Sequence, residues 1–382
     1  MDNQDKIKKY FLINILLIVI VGIIMVFSAS YISSKESFGS STYFVYKQGI
    51  FMIIGVILAL FIRSTKMTFW YKNIYFFNGV ASFLLMLTLT PLGKTIKGSH
   101  RWLDLGSFSF QPGELVKYTL CLAAIYFFNN YKKYEIKERL LCSLHFIIPL
   151  ILLIVQPDFG TFSIGAILIA FACFMSPFPR RYFYGFLSLG VIGSAVVLIS
   201  APYRVKRLLT FMDPWADPQG SGFQIIQSYL AFANGHIMGQ GIGNSTEKLF
   251  YLPEAHNDFI FSVIGEEVGF IGVTFIVLLF MSFTFLGFKL ALSARSKINT
   301  QIISALIFSI SVQAFLNMGV VLGLLPTKGL NLPLISYGGT SMVMNLVVIG
   351  IIFSCLNNKS QIEEDVHEEA PVFTNRRPMS SF

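Results

Sequence analysis

Charge is scarce in this chain of 382 residues. Asp, Glu, Lys and Arg together make up 13%, about half the roughly 25% usual in soluble domains. Hydrophobic residues make up 54% and aromatics 15%, with 39 Phe. This balance excludes a soluble enzyme, a disordered chain and a coiled coil. Cysteine is scarcer still. Cys121, Cys142, Cys173 and Cys355 all lie inside apolar runs, where they act as small core residues, and a disulfide-rich secreted domain is excluded. The five histidines lack metal-ligand spacing, so no structural zinc is expected. Acidic residues are outnumbered 20 to 29 by Lys and Arg, for a net charge of +9. Basic loops facing an anionic inner leaflet account for that excess without nucleic acid as a partner.

What the chain has in quantity is long runs free of charge. Ten occur, at 10–34, 48–62, 73–93, 118–131, 140–157, 159–179, 182–203, 268–288, 298–327 and 329–358. A bilayer core needs about 20 apolar residues per helix. The second run reaches that length if Lys47 and Arg63 snorkel. The fourth does so if it starts near Pro112, which puts Glu114 and Lys117 in its first turns. The surplus of the last two runs, near Pro326 to Gly339, reads as loop. Ser28-Ala29-Ser30 resembles a signal cleavage site, but the first run is too long for a signal peptide and reads as a retained anchor. The expected architecture is an all-α polytopic membrane protein of ten transmembrane helices. Residues 1–358 form the membrane domain. A large extracytoplasmic loop, 202–258, lies between helices 7 and 8, and 359–382 is a disordered cytoplasmic tail. More than half of the basic residues then fall on the side of the N-terminus, so both termini are expected in the cytoplasm.

Three outer segments are too long and polar to be simple connectors. The first, 93–111, carries Lys94, Lys97, His100, Arg101, Trp102 and Asp104. The second, 202–258, is too apolar for disorder, and an amphipathic helix is expected near 222–234. The third, 325–340, is rich in Pro and Gly. Charges at membrane depth are costly, so they pair or serve function. The outer face collects the carboxylates Glu114 and Asp258 and the cations Arg101, Lys117, Arg204, Arg207, Lys248 and Lys328. One carboxylate among several cations suits a phosphate-bearing substrate. Each feature also has a structural reading. Glu114 and Lys117, three residues apart, make a simple ion pair. Asp158 ends a helix or turns the chain. Trp102 anchors at the interface. Of Glu266 and Glu267, one pairs with a distant cation. Gly235–Gly243 lacks the strand and helix that flank a phosphate cradle and reads as turns.

Five stretches, in order, resemble those of the shape, elongation, division and sporulation (SEDS) family: RWLDLG at 101–106, QPGELVK at 111–117, QPDFGT at 156–161, LPEAHNDFIFSVIGEE at 252–267 and LPTKGLNLPLISYGGTS at 325–341. The last is more similar to the division branch (FtsW) than to the elongation branch (RodA). Gly113, Asn331 and Thr340 depart from the usual Ser, Thr and Ser. Gly113 is expected to loosen the helix start that places Glu114.

The resemblance implies a ten-span bundle that polymerises peptidoglycan from lipid II, in the cytoplasmic (inner) membrane with its site facing the periplasm or exterior. It implies Asp258 as the essential carboxylate, with Trp102 and Glu114 also functional. A growing strand on undecaprenyl pyrophosphate would be the donor and lipid II the acceptor. Positive charge for the leaving pyrophosphate would come from Arg101, Lys117, Lys248, Lys328 or a bound Mg²⁺ or Mn²⁺. The implied partners are a class B penicillin-binding protein and other division proteins. Two rival functions remain, a lipid II flippase and a non-catalytic division scaffold.

Overall fold

A computed structural model describes residues 3–96, 99–104, 106, 108–199, 205, 209–248, 255–326 and 329–357. The expected tail at 359–382 lies outside the described residues, as do Arg204, Arg207 and Lys328. A helix occupies most of each charge-free run: α1 (Asn3–Phe38), α2 (Tyr43–Ser64), α4 (Ile74–Leu87), α5 (Pro112–Asn130), α6 (Ile136–Val155), α7 (Phe159–Met175), α8 (Arg180–Ile199), α10 (Ile260–Leu292), α11 (Lys297–Val321) and α12 (Gly339–Leu356). A short α3 (Met67–Lys72) follows α2, and α9 (Phe223–Gly235) lies in the large loop, where an amphipathic helix is expected. Among the described residues, six of these helices (α1, α2, α6, α10, α11 and α12) are long and apolar enough to cross a membrane, while α4 and α7 are apolar but shorter.

One element departs from the all-α expectation. Three short strands form an antiparallel sheet in the order β1 (Gly93–Ile96), β2 (Ser99–Asp104), β3 (Ser109–Phe110). Gly93 pairs with Leu103, and Leu103 in turn with Phe110. Strands this short carry too few residues for a period-two pattern to stand out, and a search for charge-free runs passes over them.

Small residues set a close contact between α2 and α12. A Cβ on Gly55 of α2 would lie 2.7 Å from Leu346, and one on Gly350 of α12 would lie 2.5 Å from the Ala59 carbonyl. The two helices therefore approach backbone to backbone, the device expected where lipid supplies no hydrophobic drive between helices.

The Gly-rich segment after α9 repairs a break in α10. At Gly269 the backbone turns to φ +66°, non-helical inside the helix. The freed carbonyls of Glu266 and Glu267 accept hydrogen bonds from the Gln240 and Gly241 amides. The Phe270 and Ile271 amides donate to His236 and Ile237. Broken backbone at membrane depth is tolerated only when its polar groups are satisfied in this way. Gly235–Gly243 is thus a set of turns, and its amides are engaged by α10.

Candidate functional site

The site forms where α5, α7, α10 and α12 start and α11 ends. Asp258 stands in the turn just before α10 and is half-buried. Its turn is held through three successive carbonyls. The Tyr337 amide donates to His256 O at 3.0 Å, the Ser336 hydroxyl to Asn257 O at 2.7 Å, and Asn317 Nδ2 to Asp258 O at 2.8 Å. Asn317 Nδ2 also donates to Leu330 O at 2.5 Å, so one buried amide ties this turn to the loop before α12. The carboxylate lies against that loop: a Cβ on Gly329 would come within 3.1 Å of Asp258 Oδ2.

A polar line leads from there into the bundle. Gln313, one turn before Asn317 on α11, donates from Nε2 to Asn331 Oδ1 at 2.8 Å. Its Oε1 accepts from Lys117 Nζ at 2.6 Å. Lys117 Nζ also meets Glu114 Oε2 at 2.9 Å. Glu114 and Lys117 therefore form the ion pair that their spacing predicts, and both are buried. Gln313 and Asn317 were not among the residues that the sequence singles out by charge or motif. Their signal was present as two amides four apart in an apolar span, a costly arrangement in lipid.

On the other flank, Asp158 caps α7. Its Oδ1 accepts from the Thr161 amide at 3.3 Å and its Oδ2 from the Thr161 hydroxyl at 2.9 Å. This is the helix-end role that its position after Pro157 suggests. Arg101, from β2, lies 3.7 Å from Asp158 and donates to Pro157 O at 2.5 Å. The neighbouring Trp102 pairs with Lys94 of β1 and is half-buried. The start of α7 abuts the same loop as Asp258, since a Cβ on Gly160 would meet Leu330 at 2.9 Å. The departure at Gly113 does not unravel α5, which begins at Pro112. A Cβ there would make only ordinary contacts of 3.4–3.5 Å with Thr161 and Asp158.

Lys248 belongs to a separate cluster. Its Nζ meets Glu267 Oε1 at 2.7 Å and Ser28 Oγ at 3.1 Å, with both charged side chains buried. Glu267 is thus the glutamate of the pair that finds a distant cation. Glu266 accepts from the Thr246 amide and hydroxyl at 3.0 and 2.8 Å, and from Ser245 Oγ. Of the four proposed cations, Lys117 and Lys248 are each buried against one carboxylate and Lys328 lies outside the described residues. Arg101 keeps 26% of its side chain exposed. Among the described residues no group of three or more His, Cys, Asp or Glu converges to hold a metal ion.

Two predictions arise from this geometry. Asn317→Leu leaves two carbonyls without their donor, and stability is expected to fall by about 2 kcal/mol, read as a lower melting temperature in detergent. Glu247, buried beside Glu266, has its carboxyl held above the usual range, first by burial and then by that neighbouring charge. A raised value in the fold favours the protonated state. The stabilisation is present below the unfolded value and lost as pH rises through the folded one. Glu247→Gln is therefore expected to raise the melting temperature near neutral pH, with no gain at about pH 4.

Comparison with known proteins follows the same lines. The family model of the FtsW, RodA and SpoVE cell cycle proteins matches residues 8–361. A probable peptidoglycan glycosyltransferase FtsW from Legionella pneumophila is 37% identical over 346 residues, covering 88% of this chain and 87% of the relative. Stage V sporulation protein E from Bacillus subtilis is 37% identical over 347 residues, covering 89% and 94%. A chain solved in a study of how a peptidoglycan synthase complex coordinates polymerization and crosslinking superposes with a TM-score of 0.73 at 28% identity, covering 92% and 98%. The rod shape determining protein RodA of Thermus thermophilus shares the fold, with a TM-score of 0.66 at 24% identity over 90% and 94% of the two chains. With its family model matched over nearly the whole length and relatives above one-third identity spanning most of both chains, this chain belongs to the cell cycle protein family of FtsW, RodA and SpoVE.

Proposed function

We propose that this chain is a peptidoglycan glycosyltransferase that polymerises lipid II into β-1,4 glycan strands at the outer face of the cytoplasmic membrane, in septal wall synthesis. In this reading all ten charge-free runs cross the bilayer and both termini are cytoplasmic. The names of the relatives support the activity. The observation that carries the site is the Asp258 turn, pinned through three backbone carbonyls and only partly buried.

The reaction transfers the growing strand from undecaprenyl pyrophosphate to the 4-hydroxyl of the GlcNAc of lipid II. The hydroxyl oxygen attacks the anomeric carbon, the carbon–oxygen bond to pyrophosphate breaks, and the configuration inverts. Asp258 takes the hydroxyl proton as general base. The pyrophosphate leaves with the bonding electron pair as a stabilised anion and needs no proton from the protein. Positive charge offsets it. Arg101 keeps an open side, and Lys328, next to Gly329 in sequence, is the second candidate. Lys117 holds Glu114 and Gln313 in line and shapes the pocket. A class B penicillin-binding protein is the proposed partner, in keeping with the neighbour taken from a synthase complex.

The test is polymerisation of purified lipid II, with and without the transpeptidase, beside a flipping assay with labelled lipid II in vesicles. Glycan strands without transbilayer movement support the reading. Movement without strands makes the chain a flippase, and neither activity leaves a scaffold.

A further inference from the structure

We infer that the end of the bundle opposite Asp258 carries a binding groove for one anionic phospholipid. The α2 helix starts beside the site, where Phe44 packs on His256 and Tyr337 at 4.6 and 4.9 Å. It ends roughly 30 Å away at Arg63. There a cavity of about 360 Å³ opens between α1, α2 and α12, lined by Asp5, Lys8, Lys9, Leu12, Ile13, Arg63, Phe353 and Asn357.

The lining is ordered along the membrane normal. Leu12 and Ile13 lie four residues after Lys8 and Lys9, so each cation stands one helical turn above an aliphatic side chain on the same stripe. Leu12 and Ile13 are 47% and 44% exposed. The groove therefore offers cations at the interface and hydrocarbon about 6 Å deeper, which is the layout of a phosphate headgroup above acyl chains. An acidic peptide has no use for the aliphatic floor. Three cations face one carboxylate. Among the described residues Lys8 alone of the three has an acidic partner, Asp5 at 3.6 Å. Arg63 instead lies over the Phe353 ring at 5.8 Å.

The walls are fixed before any lipid arrives. Asn357 Nδ2 donates to Arg63 O at 3.0 Å and Ser354 Oγ to Thr65 O at 2.9 Å, tying α12 to the end of α2. Phe11 is buried against Phe283 and Phe353, seating α1. The groove is independent of the catalytic reading.

Native mass spectrometry of the full chain in detergent, with phosphatidylglycerol or phosphatidylcholine of equal acyl chains, tests this. Retention of phosphatidylglycerol is expected to exceed that of phosphatidylcholine at least about fivefold, since each basic residue at a lipid surface is worth on the order of a few-fold in affinity. Lys8→Gln/Lys9→Gln/Arg63→Gln is expected to cut it about tenfold. Lys66→Gln/Lys132→Gln/Lys137→Gln, which removes equal charge from exposed positions on the same side, is expected to leave it intact. Equal loss in both triple variants overturns the proposal, as does a wild type that does not discriminate. Displacement by glycerol phosphate at concentrations matching the lipid makes the groove a site for free anions and overturns it. Binding that emerges only in a chain ending at residue 358 assigns the groove to the acidic stretch 363–369 and overturns it also.

Discussion

Asp258→Asn is expected to abolish glycan strand formation from lipid II, a loss of about 10²–10⁴-fold or more, at unchanged protein level in the membrane. The reason for expecting so clean a separation lies in how the turn is held. Tyr337, Ser336 and Asn317 all bind backbone carbonyls of residues 256–258. Asn at 258 keeps the size of the side chain and every one of those anchors while losing the basic oxygen. The fold is therefore expected to survive and the proton transfer to fail. Glu114→Ala makes the contrast. It removes the buried carboxylate partner of Lys117, leaving Nζ with Gln313 and the face of the Tyr118 ring, and is expected to lower both rate and melting temperature without reaching zero activity. Initial rates with purified lipid II and circular dichroism melts on the same preparations decide it. Strands made by Asp258→Asn at near wild-type rate would remove Asp258 from the chemistry. Total loss in both variants would leave the base unassigned.

Lys248→Met is expected to destabilise the protein by about 3–5 kcal/mol, because it leaves Glu267 as an uncompensated charge in a buried setting. Glu267 loses its ammonium and keeps Ser28, whose hydroxyl lies 2.6 and 2.7 Å from the two carboxylate oxygens. The cluster joins α1, α10 and the 245–248 segment, so the damage reaches three elements. Lys248→Met/Glu267→Leu, which removes both charges, is expected to recover most of the loss, since an apolar replacement of similar volume is often neutral. Melting temperatures of the two variants make the measurement. Arg101→Gln supplies the opposite case. Its pair with Asp158 is partly exposed, and such pairs are worth about 0–1 kcal/mol, so its melt is expected to stay close to wild type while the polymerisation rate falls. A Lys248→Met protein that melts normally but polymerises poorly would return Lys248 to the list of pyrophosphate ligands.

Those contrasts show where sequence reading reaches its limit. Apolar runs announce helices because lipid forces backbone polar groups to bond within each segment, and each of the ten runs contains a helix. The Glu114–Lys117 pair was legible for the same local reason, since three residues on a helix place side chains side by side. Asp158 as a helix cap and the helix in the large loop were legible too. Arg101 and Asp158 are 57 positions apart, so no local period joins them, and their meeting depends on the sheet at 93–110 folding against the start of α7. Lys248 and Glu267 are closer in sequence, but 19 positions exceed any helical period, and their meeting depends on the 245–248 segment packing against α10.

The sequence by itself determined that this chain lives in lipid, where its helices run, and which motifs place it in its family. Composition, period and motif are one-dimensional quantities, and each is set by residues close together in the chain. Only the tertiary structure decided which cations remain open. A lysine and an arginine look alike as letters, yet Lys117 and Lys248 are buried against carboxylates while Arg101 keeps an exposed side. It also decided that Asn317 on α11 holds the Asp258 turn and that Gln313, one turn earlier, links Lys117 to Asn331. The physical reason is that burial and partnership belong to the packed arrangement of helices distant in sequence, and in a medium without water those two properties settle what a charge can do.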